Sequence, residues 1–212
     1  MIEPFHPLAA VPGVSAAFIP RVPGVDVATD RATALLRLAP AHAEFLRAHG
    51  FAPGRLATAE QIHRDAVALA ERAECHRGAD GLVTAVPGLV LGIYVADCAA
   101  VYLADRQGRA AGLVHSGRAG TEKNITGHAI ALMQKEFGVD PQDLIVEVSP
   151  CIRPPLYETD FASHIVAQAR EAGAKDIRDL GICTGRDTDS YYSYRMERGQ
   201  TGRMLGLLSL TP

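Results

Sequence analysis

The sequence predicts one globular domain that mixes helices and strands, and three observations carry that expectation. A chain of 212 residues is long enough for a single sizeable core. Its 48 % hydrophobic content supplies the apolar surface such a core needs and argues against disorder. Stretches with helical spacing alternate with short apolar runs of strand length, and no repeat, low-complexity linker or charge run marks a domain boundary.

From Met1 to Pro23 several prolines surround one short apolar stretch, Val14 to Ile19, which reads as a leading strand. Asp30 then caps a helix whose leucines recur at helical spacing until Pro40 stops it, and a second helical stretch runs from Ala41 to His49 and ends at Gly50. From Leu56 the pattern changes. Ala79 to Thr84, Leu89 to Ala96, Ala99 to Ala104 and Ala110 to His115 have the length and composition of buried strands. Pro87-Gly88 separates the first two, and Asp105 to Arg109 makes a hairpin turn. Asn124 to Phe137 is the clearest helix, with Ile125, Ala129, Leu132, Met133 and Phe137 near one face and Gly138 at its end. Leu144 to Val148 returns as a strand that runs into Pro150-Cys151-Ile152. Phe161 to Glu171 is a helix closed by Gly173, and Ile177 to Cys183 is a short final segment. The tail beyond it, around Tyr191 to Arg195 and Thr201 to Leu208, concentrates tyrosines, arginines and apolar residues that a disposable tail does not need.

A formal net charge of -3, with no block of like charge, leaves no footprint for nucleic acid or an anionic membrane. A small molecule, or another copy of the chain, is the expected partner. The first residues, Met1 to His6, lack the basic and apolar segments of a secretory signal, and no run reaches membrane-spanning length, so a cytoplasmic location is expected. The four cysteines, Cys75, Cys98, Cys151 and Cys183, are then expected as thiols, ligands or nucleophiles rather than disulfides.

His63, Cys98 and His115 each stand near an apolar run, where a strand would deliver them to a cleft. Two imidazoles and a thiolate suit a zinc site that keeps a fourth position open. Without a metal, Cys98 could act as a nucleophile with His115 as its base and Asp97 or Asp80 orienting the imidazole. The plainest alternative is an exposed histidine, a buried thiol and a strand-end histidine with no shared role. Gly117 and Gly120 permit close approach of backbone amides to an anion, with a helix starting after them. Asp80 and Asp97 lie inside apolar segments, where a charge requires a partner, so they either hold a histidine, carry protons or cap backbone. Arg118, Arg195 and Arg203 are candidates for a phosphate or carboxylate, or are simply solvated. Cys151, Cys183 and Cys75 read as structural.

Read in order, Gln61-Ile-His63, Ala79 to Thr84, Pro87-Gly-Leu89, Ala96-Asp97-Cys98, His115-Ser-Gly117, Pro150-Cys-Ile152 with Tyr157-Glu158, and Tyr192 to Arg195 with Thr201-Gly-Arg203 resemble the YfiH-like family. This family is also called the laccase-domain or multicopper polyphenol oxidase family, and is associated with purine nucleoside phosphorylase and adenosine deaminase activities. The resemblance runs from Gln61 to Leu210, with a divergent segment over 1–55. It implies a single α/β domain of mixed β-sheets flanked by helices, akin to the cysteine-hydrolase core of cytotoxic necrotizing factors. It also implies a metal site at His63, Cys98 and His115, with zinc the expected ion and copper the alternative, and a nucleoside substrate with phosphate or water. Asp80 and Asp97 would assist catalysis, while Arg118, Arg195 and Arg203 would bind substrate. The chain departs from the family where His-Ala-Gly-Trp-Arg-Gly becomes His115-Ser-Gly-Arg118-Ala119-Gly, and where Gly-Gly-Val-Ser and Leu-Asn-Leu-Gly are reduced to Pro20 through Asp26. A metal-independent cysteine hydrolase or deamidase, and a metal-binding protein without activity, are the rival readings.

Overall fold

Along the run from Ala99 to Asp105, alternate side chains enter different layers of the protein. Ala99, Val101 and Leu103 pack with Ile125, Ala129, Met133 and Ile165, whereas Ala100, Tyr102 and Ala104 pack with Leu91, Leu205 and Phe18. A strand of period two that is apolar on both faces has to be covered on both sides.

The structure is a computed structural model that describes residues 7–8 and 11–211; the signal reading over 1–6 lies outside them, whereas the leading strand expected within the proline-rich start is present at Val14–Ile19. In chain order the elements are β1 (Val14–Ile19), α1 (Arg31–Ala48), β2 (Leu56–Ala59), β3 (Val67–Leu69), β4 (Cys75–His76), β5 (Gly81–Thr84), β6 (Val90–Val95), β7 (Ala99–Asp105) and β8 (Ala111–Ser116). There follow α2 (Arg118–Glu122), α3 (Ile125–Phe137), β9 (Leu144–Val148), α4 (Phe161–Glu171), β10 (Asp176–Asp179) and β11 (Met204–Leu210). One sheet has the order β1-β11-β6-β2-β4 and the other β10-β9-β7-β8-β5-β3. Both mix parallel and antiparallel pairs, and helices flank them, which is the α/β domain expected. Among the described residues no helix is long and apolar enough to cross a membrane.

The sheets are joined by short crossings, and these position the site. β5 and β6 belong to different sheets, as do β6 and β7, with only Ala96, Asp97 and Cys98 between the latter pair. The expected hairpin at Asp105 to Arg109 joins β7 to β8 as an antiparallel pair. α3 keeps its sequence bounds, with Asn124 as N-cap accepting from the Gly127 amide and Gly138 at the C-cap in the left-handed region.

Two readings change. The helix expected to stop at Pro40 continues through it as α1. A proline inside a helix forfeits one hydrogen bond and costs roughly 3 kcal/mol, but Pro40 and Leu36 are both exposed, so water can serve the freed carbonyl. Ala34, Leu38, His42, Phe45 and Leu46 meanwhile form one buried stripe on both sides of the proline. The final segment is also not the last element. Leu205, Leu207 and Leu208 lie in β11, which sits between β1 and β6 inside the five-stranded sheet.

His42 is buried, tilts against the Tyr94 ring at 5.9 Å, and its Nε2 has no partner among the described residues. Burial pushes its pKa down to about 4. The unfolded chain, with a histidine near 6.5, therefore binds the proton first as pH falls. Stability held above pH 6.5 is lost progressively down to about pH 4, by on the order of 3 kcal/mol from this group. Replacing His42 with Phe is expected to flatten that part of the urea-denaturation pH profile; an unchanged slope would contradict the assignment.

Candidate functional site

The site is assembled at the crossings. His63 comes from the loop between β2 and β3, Cys98 from the crossing between β6 and β7, and His115 from the end of β8. Their ligand atoms lie within 4.8 Å of one another. The two imidazole rings meet edge to face at 4.8 Å. His115 is buried, Cys98 half-buried and His63 exposed, so the group is open on one side.

Asp80 ties this arrangement together. Its carboxylate is fully buried and accepts from the backbone amides of Ile62 (3.2 Å), His63 (2.8 Å) and Arg64 (2.8 Å). It also accepts the Nδ1 proton of His115 at 3.0 Å, which leaves Nε2 facing the other two ligands. Gln61 and His63 both take positive φ, 64° and 60°, a region that non-glycine side chains rarely occupy. The Gln61 amide holds its end of the loop by pairing with the Tyr94 backbone, donating to the carbonyl (2.6 Å) and accepting from the amide (2.9 Å).

Asp97 has a different environment. Its carboxylate accepts from the Thr184 hydroxyl and the Arg195 amide, each at 2.7 Å, and its carbonyl accepts from the Ile152 amide at 2.8 Å. Of the two aspartates expected to orient the imidazole, Asp80 bonds His115, while Asp97 anchors the loops that surround Cys98. Gly117 does not simply expose amides: a side-chain carbon there would collide with the Cys98 sulfur. The helix expected beyond both glycines starts earlier, directly after Gly117 as α2, and Gly120 lies buried inside it.

Desolvation pushes the Cys98 thiol up, but the positive charge and hydrogen bond of His115, reinforced by His63, bring it down to about 6. Burial lowers the basicity of His115, and the neighbouring thiolate and Asp80 more than reverse this, raising it to about 9. For Asp80, desolvation opposes ionisation, yet the His115 and backbone hydrogen bonds hold its carboxyl below the usual range. In the absence of a metal the pair is therefore a thiolate and an imidazolium. Cys151 is buried, and desolvation pushes it up to about 12, as suits a structural thiol.

The three residues lie in the wall of a cavity of about 750 Å³. Tyr94, Tyr157, Phe161 and Tyr194 give it aromatic surface, and all three arginines picked out in the sequence line it. Arg118 pairs with Glu122 (2.8 Å) and Glu158 (3.7 Å), and Arg195 with Glu158 (3.1 Å). Arg203 is buried and has no carboxylate partner among the described residues. Arg31 and Arg198 also line the cavity; no motif pointed to either. Gln61 stood in a motif, but nothing in the sequence indicated that its amide would pair with the strand carrying Tyr94.

In metal-free protein, the alkylation rate of Cys98 by iodoacetamide is expected to rise through a midpoint near pH 6. His115→Ala should move that midpoint toward the ordinary thiol value of about 8.5. A wild-type midpoint already near 8.5 would contradict the ion pair.

The model of the family described as multi-copper polyphenol oxidoreductase laccase matches residues 36–170 and 157–211. A protein of Deinococcus radiodurans named purine nucleoside phosphorylase is 29 % identical over 245 aligned positions, covering 99 % of this chain and 95 % of its own. Another, from Corynebacterium glutamicum and likewise named a purine nucleoside phosphorylase, is 30 % identical over 76 % of each chain. The crystal structure of YlmD from Geobacillus stearothermophilus superposes with a TM-score of 0.83 at 23 % identity, covering 95 % of this chain and 93 % of that one. At that identity the likeness speaks for the fold.

Proposed function

The chain belongs to the multi-copper polyphenol oxidoreductase laccase family, the YfiH-like proteins, and from that premise we propose that it is a metal-dependent enzyme acting on purine nucleosides, with phosphorolysis as its reaction. The observation that carries this reading is the convergence of His63, Cys98 and His115 in a cavity walled by tyrosines and arginines. The names of the relatives from Deinococcus radiodurans and Corynebacterium glutamicum support the substrate class.

Two imidazoles and a thiolate that can converge on one point fit zinc, with copper the alternative. Three donors are far fewer than a multicopper oxidase requires, so oxidase chemistry is set aside despite the family's label. Zinc bound here would supply a Lewis acid and lower the pKa of water. Asp80 fixes the His115 ring through Nδ1 and the His63 loop through three amides, so both imidazoles are aimed before anything binds. Asp97 supports Cys98 through the loops around it. The aromatic walls offer faces for a purine, and the arginines Arg118, Arg195 and Arg203 offer donors to a phosphate. Adenosine deamination uses the same centre, with water in place of phosphate.

A metal-independent thiol hydrolase or deamidase is the second reading, favoured by the thiolate–imidazolium pair of Cys98 and His115. Chelation separates the two.

Purified protein is expected to carry about one zinc per chain, with Cys98→Ala losing both the metal and phosphate-dependent release of base from inosine. Full activity after chelation, together with inactivation by Cys98 alkylation, would overturn the metal-dependent reading in favour of the thiol enzyme. Asp80→Asn, which keeps the shape but weakens the acceptor, is expected to loosen zinc binding by roughly 10–100-fold in a competition titration. An unchanged affinity would remove Asp80 from this role.

A further inference from the structure

Arg31 precedes the stretch matched by the family model and belongs to none of the sequence motifs. It is the first residue of α1, placed there by the Asp30 cap, and its guanidinium lines the same cavity as the metal-type group. Its two terminal nitrogens lie 3.4 Å from the Glu60 carbonyl. Arg203 lines that cavity just before β11 and is 9 % exposed. Its Nη1 donates to the carbonyls of Thr201 and Gly202, each at 2.9 Å. Its Nε and Nη2 have no hydrogen-bond partner among the described residues, the guanidinium lies 5.8 Å from the centre of the Tyr194 ring, and neither arginine forms an ion pair among those residues. Burial and then the charge of Arg31 pull Arg203 below the usual arginine range, so the two cations that line this cavity repel one another. Arg118 and Arg195 differ in that each already shares its charge with a carboxylate, Glu122 or Glu158, and so offers a phosphate fewer free donors. Two guanidinium groups that line one cavity without a carboxylate partner, one of them nearly buried, suit a tetrahedral oxyanion.

We propose that Arg31 and Arg203 form the oxyanion subsite of this cavity, and that its occupant is inorganic phosphate acting as the attacking co-substrate. The occupant, though not the subsite, rests on the phosphorolytic reading above. In the step served, an oxygen of hydrogen phosphate bonds to the anomeric carbon and the carbon–nitrogen bond breaks, its electron pair leaving with the purine. The phosphate proton passes to that purine, so base and sugar 1-phosphate account for every atom. Arg31 and Arg203 position the phosphate and counter its charge as it approaches the sugar.

The test titrates inorganic phosphate into the zinc-loaded protein by calorimetry and measures the phosphate KM with inosine. Arg31→Ala and Arg203→Lys are each expected to weaken phosphate binding at least about tenfold and to raise the phosphate KM similarly, with the inosine KM moved less than about threefold. Arg37→Ala, on the solvent side of α1 and paired with Asp26, is the control and should stay within about twofold. Arg31 is exposed, so its variant keeps the test decisive if the Arg203 variant fails to fold. Unchanged phosphate affinity and KM in Arg31→Ala overturn the subsite while phosphorolysis stands. A second arm uses inosine 5′-monophosphate: if the variants lose its binding but keep that of inorganic phosphate, the arginines serve a substrate ester and the proposal falls. Phosphate binding that depends on both arginines, without turnover of any purine nucleoside, supports the subsite and overturns the phosphorolytic reading instead.

Discussion

The Asp80 carboxylate is withdrawn from water and receives four hydrogen bonds, three from the successive amides of Ile62, His63 and Arg64 and one from the His115 ring. A buried carboxylate costs several kcal/mol unless such donors offset it. Here the offset comes from the segments that carry the two histidines. Charge satisfaction and ligand positioning are thus one requirement, because a loop that drifted would leave the charge uncompensated. The backbone of Asp80 adds to this: its amide donates to Ala66 and its carbonyl accepts from His115 at 2.7 Å. The left-handed conformation of His63 persists because the surrounding bonds leave it little alternative.

Cys98 is positioned by topology. The chain leaves one sheet at Val95 and enters the other at Ala99, and Asp97 turns between them with a φ of 79°. Its carboxylate recruits Thr184 and Arg195 from distant parts of the chain, closing the loops around the sulfur. Gly117 then lets the end of β8 approach that sulfur closely enough for the thiol to meet His115. Thiol, imidazole and carboxylate polarise one another, and each is shifted in the direction that favours the charged form of its neighbour.

What was legible in the sequence follows the range of the physics involved. Local signals read well: the Asn124 cap and Gly138 stop of α3, the Asp105 to Arg109 turn, and the apolar runs of β5 to β9 rest on chemistry within a few residues. His63, Cys98 and His115 could be picked out because each stands near an apolar run, and their meeting became an expectation through the order of the family-like segments. Pro40 misled because a local penalty was outweighed by a buried stripe spanning it. Arg31 was invisible because an arginine at a helix start has no signature, and only the fold brings it beside a cavity. The separate tasks of Asp80 and Asp97 were equally out of reach: both are aspartates in apolar surroundings, and only the partners delivered by other loops distinguish them.

The position of β11 governs the order in which this protein can be completed. Val14 pairs with Leu210, nearly the whole described chain apart, and β11 separates β1 from β6. Contacts of such sequence separation are slow to form because the loop entropy is lost before the pairing is gained. During synthesis β1 must wait, its edge toward β11 unpaired, until β11 has been made, a period when such edges invite misassociation. Arg203 immediately precedes β11, so the cavity wall closes with the same event that completes the five-stranded sheet. A nascent chain therefore carries all three candidate ligands well before it has a finished pocket.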